Sequence, residues 1–539
     1  MNCFVIYHKL THMRSSQKTV YMRATKILAV GFLLVATGFV SNAQGKKENE
    51  TSKPERTVDS IYSDYKKPHK SITEGTVTVE GNPINYQAVA GTLILKNNLD
   101  TPTASIFYTA YFKTGGKDAS QRPLTFIYNG GPGSATLWLH MGAWGPQRVF
   151  LKDTTRTKAP YKTVNNEYSL LDASDLVFID APGTGFGRII TKEMGGAGLP
   201  KDFFGIDQDG QAFAAFIHQF LSEYNRWNSP KYLFGESYGT FRSAVVANIL
   251  QSQYGVGLSG VILLSQLLTY NNMTETTDGN PGDGLPFELA LPSYAATAWY
   301  HNKLPNKPAA IEPFLKEVEN FALNEYAVAL NKGVTLDSVS FNQIADKLHE
   351  YTGLPLIYIR KANLRINGPQ FEQSLLGEKS EITGRLDSRF TGPAFDPLSE
   401  YAQYDPMDSY IDAAFTATFN NYVRTELKFG YGISYKTYGD VGAWDFKRGG
   451  FIGSPNVMAD LAQAMVYNPD LKVMLNGGYF DLGTPYFEGV YEMQHLPMPA
   501  ALQKNIQYAR YFSGHMVYLH AESLKLLHDN VAAFIRSTY

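Results

Sequence analysis

Along this 539-residue chain the hydrophobic positions change their period. Between 76 and 112 they alternate with polar ones in the stretches 76–79, 91–95 and 104–108, with Asn97-Asn98 as a turn. A period of two marks strands with one exposed face, so antiparallel strands are expected there. From 124 onward the pattern becomes short unbroken apolar runs, at 124–128, 176–179, 232–234, 261–264 and 471–475. Such runs suit strands covered on both faces. Between two of them Phe213, Phe216, Ile217, Phe220, Leu221 and Tyr224 recur at helical spacing, with Asp207 or Asp209 placed to cap the helix. Buried strands alternating with helices predict an α/β protein with a mainly parallel central sheet. The two hundred or so residues between the runs at 261 and 471 read as helical and polar-aromatic, as at 313–330 and 341–351.

The N-terminus changes the picture. Arg23 and Lys26 precede an apolar run of 14 residues, Ile27 to Val40, followed by small residues at Ser41-Asn42-Ala43. A membrane span needs about 20 residues, so the pattern is that of a cleaved export signal. Met22, just before the basic residues, is an alternative start. The only cysteine, Cys3, precedes the signal run, and a secreted chain without disulfides must be held by its core. This suits a bacterial periplasmic or secreted protein. The expected organisation is a signal peptide at 1–43, a flexible linker at 44–70 and a first core segment at 71–284. An inserted, mostly helical cap at 285–440 and a second core segment at 441–539 complete it. With 48 basic and 50 acidic residues, nothing favours nucleic acid or an acidic membrane as partner.

Candidate chemistry begins at Gly235-Glu236-Ser237-Tyr238-Gly239, the one Gly-x-Ser-x-Gly in the chain, between an apolar run and a helix-like segment. That is the nucleophile elbow of an α/β-hydrolase, in which a sharp strand-to-helix turn holds one serine out. A serine hydroxyl needs a base in reach and a carboxylate to orient that base, in the chain order Ser, Asp, His. Asp481 follows the run at 471–475, and His515 stands in Gly514-His515-Met516 before the last apolar-periodic helix (Leu524, Leu527, Val531, Phe534, Ile535). A second glycine cluster, Asn129-Gly130-Gly131-Pro132-Gly133-Ser134, follows the run at 124–128. Its glycines let backbone N–H groups approach a developing oxyanion. No Gly-Lys-Ser/Thr follows, so phosphate binding is excluded.

Together with Asp180-Ala181-Pro182-Gly183-Thr184-Gly185-Phe186, these blocks resemble the serine carboxypeptidase family (peptidase family S10), in its bacterial form, over about 124–517 and in the family's order. The resemblance implies a triad of Ser237, Asp481 and His515, and an oxyanion hole from the N–H groups of Gly131 and Tyr238. It also implies a site for the substrate's terminal carboxylate made by Asn129, Gly130 and Glu236. The Asp180 turn is expected to shape the cleft. The implied activity is removal of C-terminal residues from peptides, with no metal or cofactor, and no membrane contact after signal cleavage. An esterase or acyltransferase would use the same triad, and a non-enzymatic binding protein could use the same scaffold. Two positions depart from the family: Ala143 stands where it has a second carboxylate-binding glutamate, and Ser134 where eukaryotic members have cysteine. Two further motifs are incomplete. The Asp278–Gly284 stretch is interrupted by Pro281 and lacks a glutamate at the twelfth calcium-loop position, and His349-Glu350 lacks the second histidine of a zinc helix.

Overall fold

Three long strands open the fold: β1 (Lys70–Val79), β2 (Asn82–Lys96) and β3 (Pro102–Lys113), each antiparallel to the next. This is a computed structural model, and it describes residues 65–116, 119–442, 444–448 and 455–539. The expected signal peptide, and the linker up to residue 64, lie outside those residues. The β1–β2 connection is the two-residue turn Glu80-Gly81, both with positive φ (46° and 84°), the twist that suits a tight hairpin. At the β2–β3 turn Asn97 Oδ1 accepts from the N–H groups of Leu99 and Thr101.

Six strands continue the sheet: β4 (Leu124–Tyr128), β5 (Asp175–Ile179), β6 (Lys231–Glu236), β7 (Gly260–Leu264), β8 (Lys472–Gly478) and β9 (Ile506–Tyr511). The spatial order is β1-β2-β3-β5-β4-β6-β7-β8-β9, with the short strand Arg188–Ile189 paired beside β3. From β5 to β9 every pairing is parallel, and β3 meets β5 antiparallel. This is the mainly parallel mixed sheet of an α/β-hydrolase. Alternate residues of each strand feed two cores. Phe126, Leu233, Val261 and Val473 face one side, and Ile127, Phe234, Ile262 and Met474 the other.

Helices α1 (Ile206–Glu223) and α2 (Tyr238–Tyr254) cover the first side; α4 (Pro406–Thr425) and α5 (Ala521–Ser537) cover the second. The capping expectation for α1 is corrected. Its N-cap is Gly205 with no side-chain cap, because the helix starts at Ile206 and the two acids fall inside its first turn. Asp207 accepts instead from Arg448 Nε (2.9 Å), and Asp209 forms a buried pair with Arg242 of α2, 2.7 Å apart.

The stretch 285–440 holds α3 (Leu285–Tyr300), several shorter helices and α4. Its apolar side chains build no third core. Those up to Leu376 continue the first, and those of α4 continue the second. Among the described residues no helix is long and apolar enough to cross a membrane.

Candidate active site

The register of the sheet decides where the chemistry collects. Glu236 of β6, Leu264 of β7 and Asn476 of β8 are paired in line, so the residues after them emerge at one edge. Loops at the carboxyl ends of parallel strands are where ligands bind in such sheets. Ser237, the segment up to Asp481 and the segment up to His515 leave that edge from β6, β8 and β9.

At the elbow, a Cβ on Gly235 would lie 2.2 Å from the Gly239 carbonyl oxygen, so only glycine lets the helix start this close to the strand. Ser237 sits at φ 60°, ψ −131°, a sparsely populated conformation that the surrounding packing must hold. Its N–H donates to Leu264 O (3.0 Å), and its side chain is half-buried at the edge. The Asn129–Gly133 loop lies directly against the elbow: a Cβ on Gly130 would come within 2.4 Å of Tyr238 N. Neither the Gly131 nor the Tyr238 N–H is used in a hydrogen bond within the protein, among the described residues. Arg242, one turn into α2, fixes this loop by donating to Asn129 O (2.7 Å) while pairing with Asp209.

Asp481 and His515 meet at 2.7 Å, Oδ2 to Nδ1, both buried. The carboxylate is held on all sides. Its Oδ1 accepts from the N–H groups of Gly483 and Thr484 (2.9 Å each), and its Oδ2 also accepts from Thr484 Oγ1 (2.7 Å). Thr484 is a residue that the sequence reading missed, although a threonine three positions after an aspartate is a recognisable turn pattern. Ser237 Oγ and His515 Nε2 are not hydrogen-bonded here. The two residues are tied through β7, since Ser265 Oγ, next to the Ser237 acceptor Leu264, donates to His515 O (2.6 Å).

A brace from the 285–440 stretch holds the same loops. Leu386 O accepts from His515 N (2.7 Å), Arg385 O from Leu482 N (2.9 Å), and Asp387 Oδ2 from Gly514 N (3.2 Å). That stretch is therefore part of the framework of the site.

Glu236 is 2% exposed, and its Oε1 accepts from Asn129 Nδ2 (2.8 Å). Asn129 Oδ1 in turn accepts from Leu139 N (3.1 Å). Burial pushes the Glu236 carboxyl up to about 7, with Asp481 adding to the rise, while His515, Tyr518 and Asn129 oppose it. Burial lowers His515, but the Asp481 charge, its hydrogen bond and the Glu236 charge outweigh that and leave the imidazole above its ordinary value. Ala143 is fully buried in the turn His140–Trp144, so no second carboxylate stands near Glu236 at that position. The hydroxyl of Tyr518 lies beside Glu236 and Asn129 instead, close enough to act on their charge but outside hydrogen-bonding geometry. No sequence signal pointed to it.

The other singled-out residues lie elsewhere. Asp180 accepts from Thr136 N (2.7 Å) and braces the segment after the glycine loop, and Ser134 pairs with Tyr438. His349 Nδ1 bonds to Leu354 O at the end of its own helix, and Asp283 Oδ1 accepts from Leu285 N at the start of α3.

Residues 81–281 match the family model of serine carboxypeptidases; the segment takes in the glycine loop, the Asp180 turn and the elbow, and ends before Asp481 and His515. None of the curated proteins matches the chain. Among solved structures, Kex1Δp, a prohormone-processing carboxypeptidase from Saccharomyces cerevisiae, is similar at 15% identity and a TM-score of 0.51, covering 84% of this chain and 92% of that one. A proline iminopeptidase from Mycobacterium smegmatis aligns at 14% identity and a TM-score of 0.35, covering 83% and 98%. At 15% identity the Kex1Δp structure speaks for the fold alone, while the family match covers the loop and the elbow that the geometry brings together. The segment 81–281 is thus similar to serine carboxypeptidases, on a chain whose sheet has the α/β-hydrolase fold.

Proposed function

We propose that the protein is an exported serine-type carboxypeptidase that removes residues one at a time from the C-terminus of peptides, with Ser237 as nucleophile. The observation that carries this reading is Glu236, a buried carboxyl held by Asn129 directly beside the nucleophile. An acid there repels an anionic substrate when ionised and binds it when protonated, and burial favours the protonated form. The run Ile27 to Val40 supports export, to the periplasm or the medium.

In the first half-reaction neutral His515 takes the hydroxyl proton as Ser237 Oγ bonds to the scissile carbonyl carbon. The N–H groups of Gly131 and Tyr238 stabilise the oxyanion that forms. The C–N bond then breaks, His515 returns the proton to the leaving amine, and the terminal amino acid departs. Water attacks the acyl-enzyme by the same route, freeing the shortened peptide and Ser237. Asp481 keeps the His515 proton on Nδ1, so that Nε2 is the acceptor.

Digesting a peptide as its free acid and as its C-terminal amide, with products read by mass spectrometry, tests the reading. Stepwise loss from the C-terminus of the acid is expected, with kcat/KM at pH 6 at least about tenfold above that for the amide, since a hydrogen bond to a charged group contributes about 1.5–3 kcal/mol. Equal rates for acid and amide, or internal cleavage, would favour an esterase or endopeptidase instead.

A further inference from the structure

Tyr518 follows His515 by three residues, in the short turn Val517–Leu519, and is only 4% exposed. Its ring lies on Gly142, where an added Cβ would fall 2.4 Å from the ring, and Phe415 lies against the same glycine. The hydroxyl is thereby held beside Glu236 and Asn129. Two buried polar atoms in this corner, Tyr518 Oη and Glu236 Oε2, make no hydrogen bond among the described residues. Buried polar atoms are nearly always paired, and these two, side by side without a hydrogen bond of good geometry, are placed for one acceptor to bridge them. Asn129 donates one N–H to Glu236 and accepts from Leu139 N with its side-chain oxygen. A carboxylate offers two oxygens that accept from the phenol and from a protonated Glu236 together.

We propose that the Tyr518 hydroxyl is a substrate-binding donor for the terminal carboxylate, at a corner where Ala143 leaves Glu236 without a second acid. The inference rests on the carboxypeptidase reading and extends it. The phenol keeps its proton when Glu236 loses its own, so this donor still serves above neutral pH. The groups facing the pair are Asn129, His515 and Asp481 on the side of Glu236, and Tyr438 on the side of Tyr518.

The test compares Tyr518→Phe with wild type on a matched free-acid peptide and its amide, at pH 6 and pH 8. For the acid, kcat/KM should fall about tenfold or more, mostly through KM, and more steeply at pH 8. The amide should fall less than threefold, so the acid preference shrinks. Labelling of Ser237 by a fluorophosphonate at the wild-type rate shows that the variant is folded. Gly142→Ala is the second arm: its Cβ displaces the ring with the hydroxyl intact, and the acid preference should shrink there too. A preference unchanged in the variants would overturn the role of Tyr518. A wild type with no preference for acids would instead overturn the reading beneath it.

Discussion

Asp481→Asn probes the hydrogen-bond geometry at one atom. The two backbone N–H donors on Oδ1, from Gly483 and Thr484, admit only an acceptor, so the asparagine carbonyl must stay there. Its NH₂ group then faces His515 Nδ1, where the carboxylate oxygen now stands at 2.7 Å. A donor at that place forces the imidazole to accept at Nδ1 and to carry its proton on Nε2, pointing at Ser237. The base is then in the wrong tautomer. Inverting it sacrifices a hydrogen bond of about 1.5 kcal/mol. Losing the carboxylate charge beside the imidazolium removes about 4 kcal/mol at an effective dielectric near 20. Together these raise the barrier by about 5.5 kcal/mol, or about 10⁴-fold in kcat. KM should move less than about threefold, since Asp481 is bonded to His515, Gly483 and Thr484 and makes no hydrogen bond to Glu236 or Asn129. Steady-state hydrolysis of a chromogenic peptide measures both, with circular dichroism confirming the fold. A folded variant retaining more than a tenth of wild-type kcat would refute the assignment of Asp481 as the orienting group.

Other expectations follow from the charges around the site and the core. Arg242→Met leaves Asp209 buried without its counter-charge and should cost about 3–5 kcal/mol by urea unfolding; Arg242→Met with Asp209→Leu should regain most of the stability. The double variant should not regain kcat, because Asn129 O still lacks its donor, and full kcat there would remove Arg242 from the support of the loop. Glu236→Gln should flatten the loss of free-acid kcat/KM as pH rises through about 7. The same change removes a charge that holds His515 up, so the acid limb for an amide substrate should move to lower pH; an unmoved limb in parallel pH profiles would rule out that coupling. His528 is held above its ordinary pKa, because burial lowers it but the Asp172 and Asp529 contacts outweigh that. Its contribution is full below about 6.5 and fades as pH rises through the folded value, so His528→Gln should cost about 1–2 kcal/mol at pH 5.5 and clearly less at pH 9. Thermal melts that show the same loss at both pH values would contradict this.

The parallel strands were legible because strands buried on both faces leave unbroken apolar runs, and β4 begins and ends where its run does. β9 was not. It is the edge strand of the sheet, with Gln507, Tyr508 and Arg510 exposed, and it shows neither a run nor a clean alternation. Asp207 or Asp209 was read as a cap because an acid before an apolar helix looks alike whether it meets N–H groups or a distant arginine. The glycine loop and the elbow declared themselves through steric need, which is local and leaves glycines at fixed spacing. Thr484, Tyr518 and the 385–387 brace act through contacts made only when the chain folds. The brace reaches His515 across more than a hundred residues, and no spacing rule records it.

The central claim is that Ser237 carries the acyl group of a peptide that has lost its last residue. Rapid acid quenching during turnover of a slow peptide substrate, followed by peptide mapping of the enzyme, tests it directly. The account predicts a mass increment equal to the acyl portion of the substrate minus its C-terminal residue, located on Ser237, and no increment in Ser237→Ala. An increment on another residue, or one that retains the C-terminal residue, would contradict it.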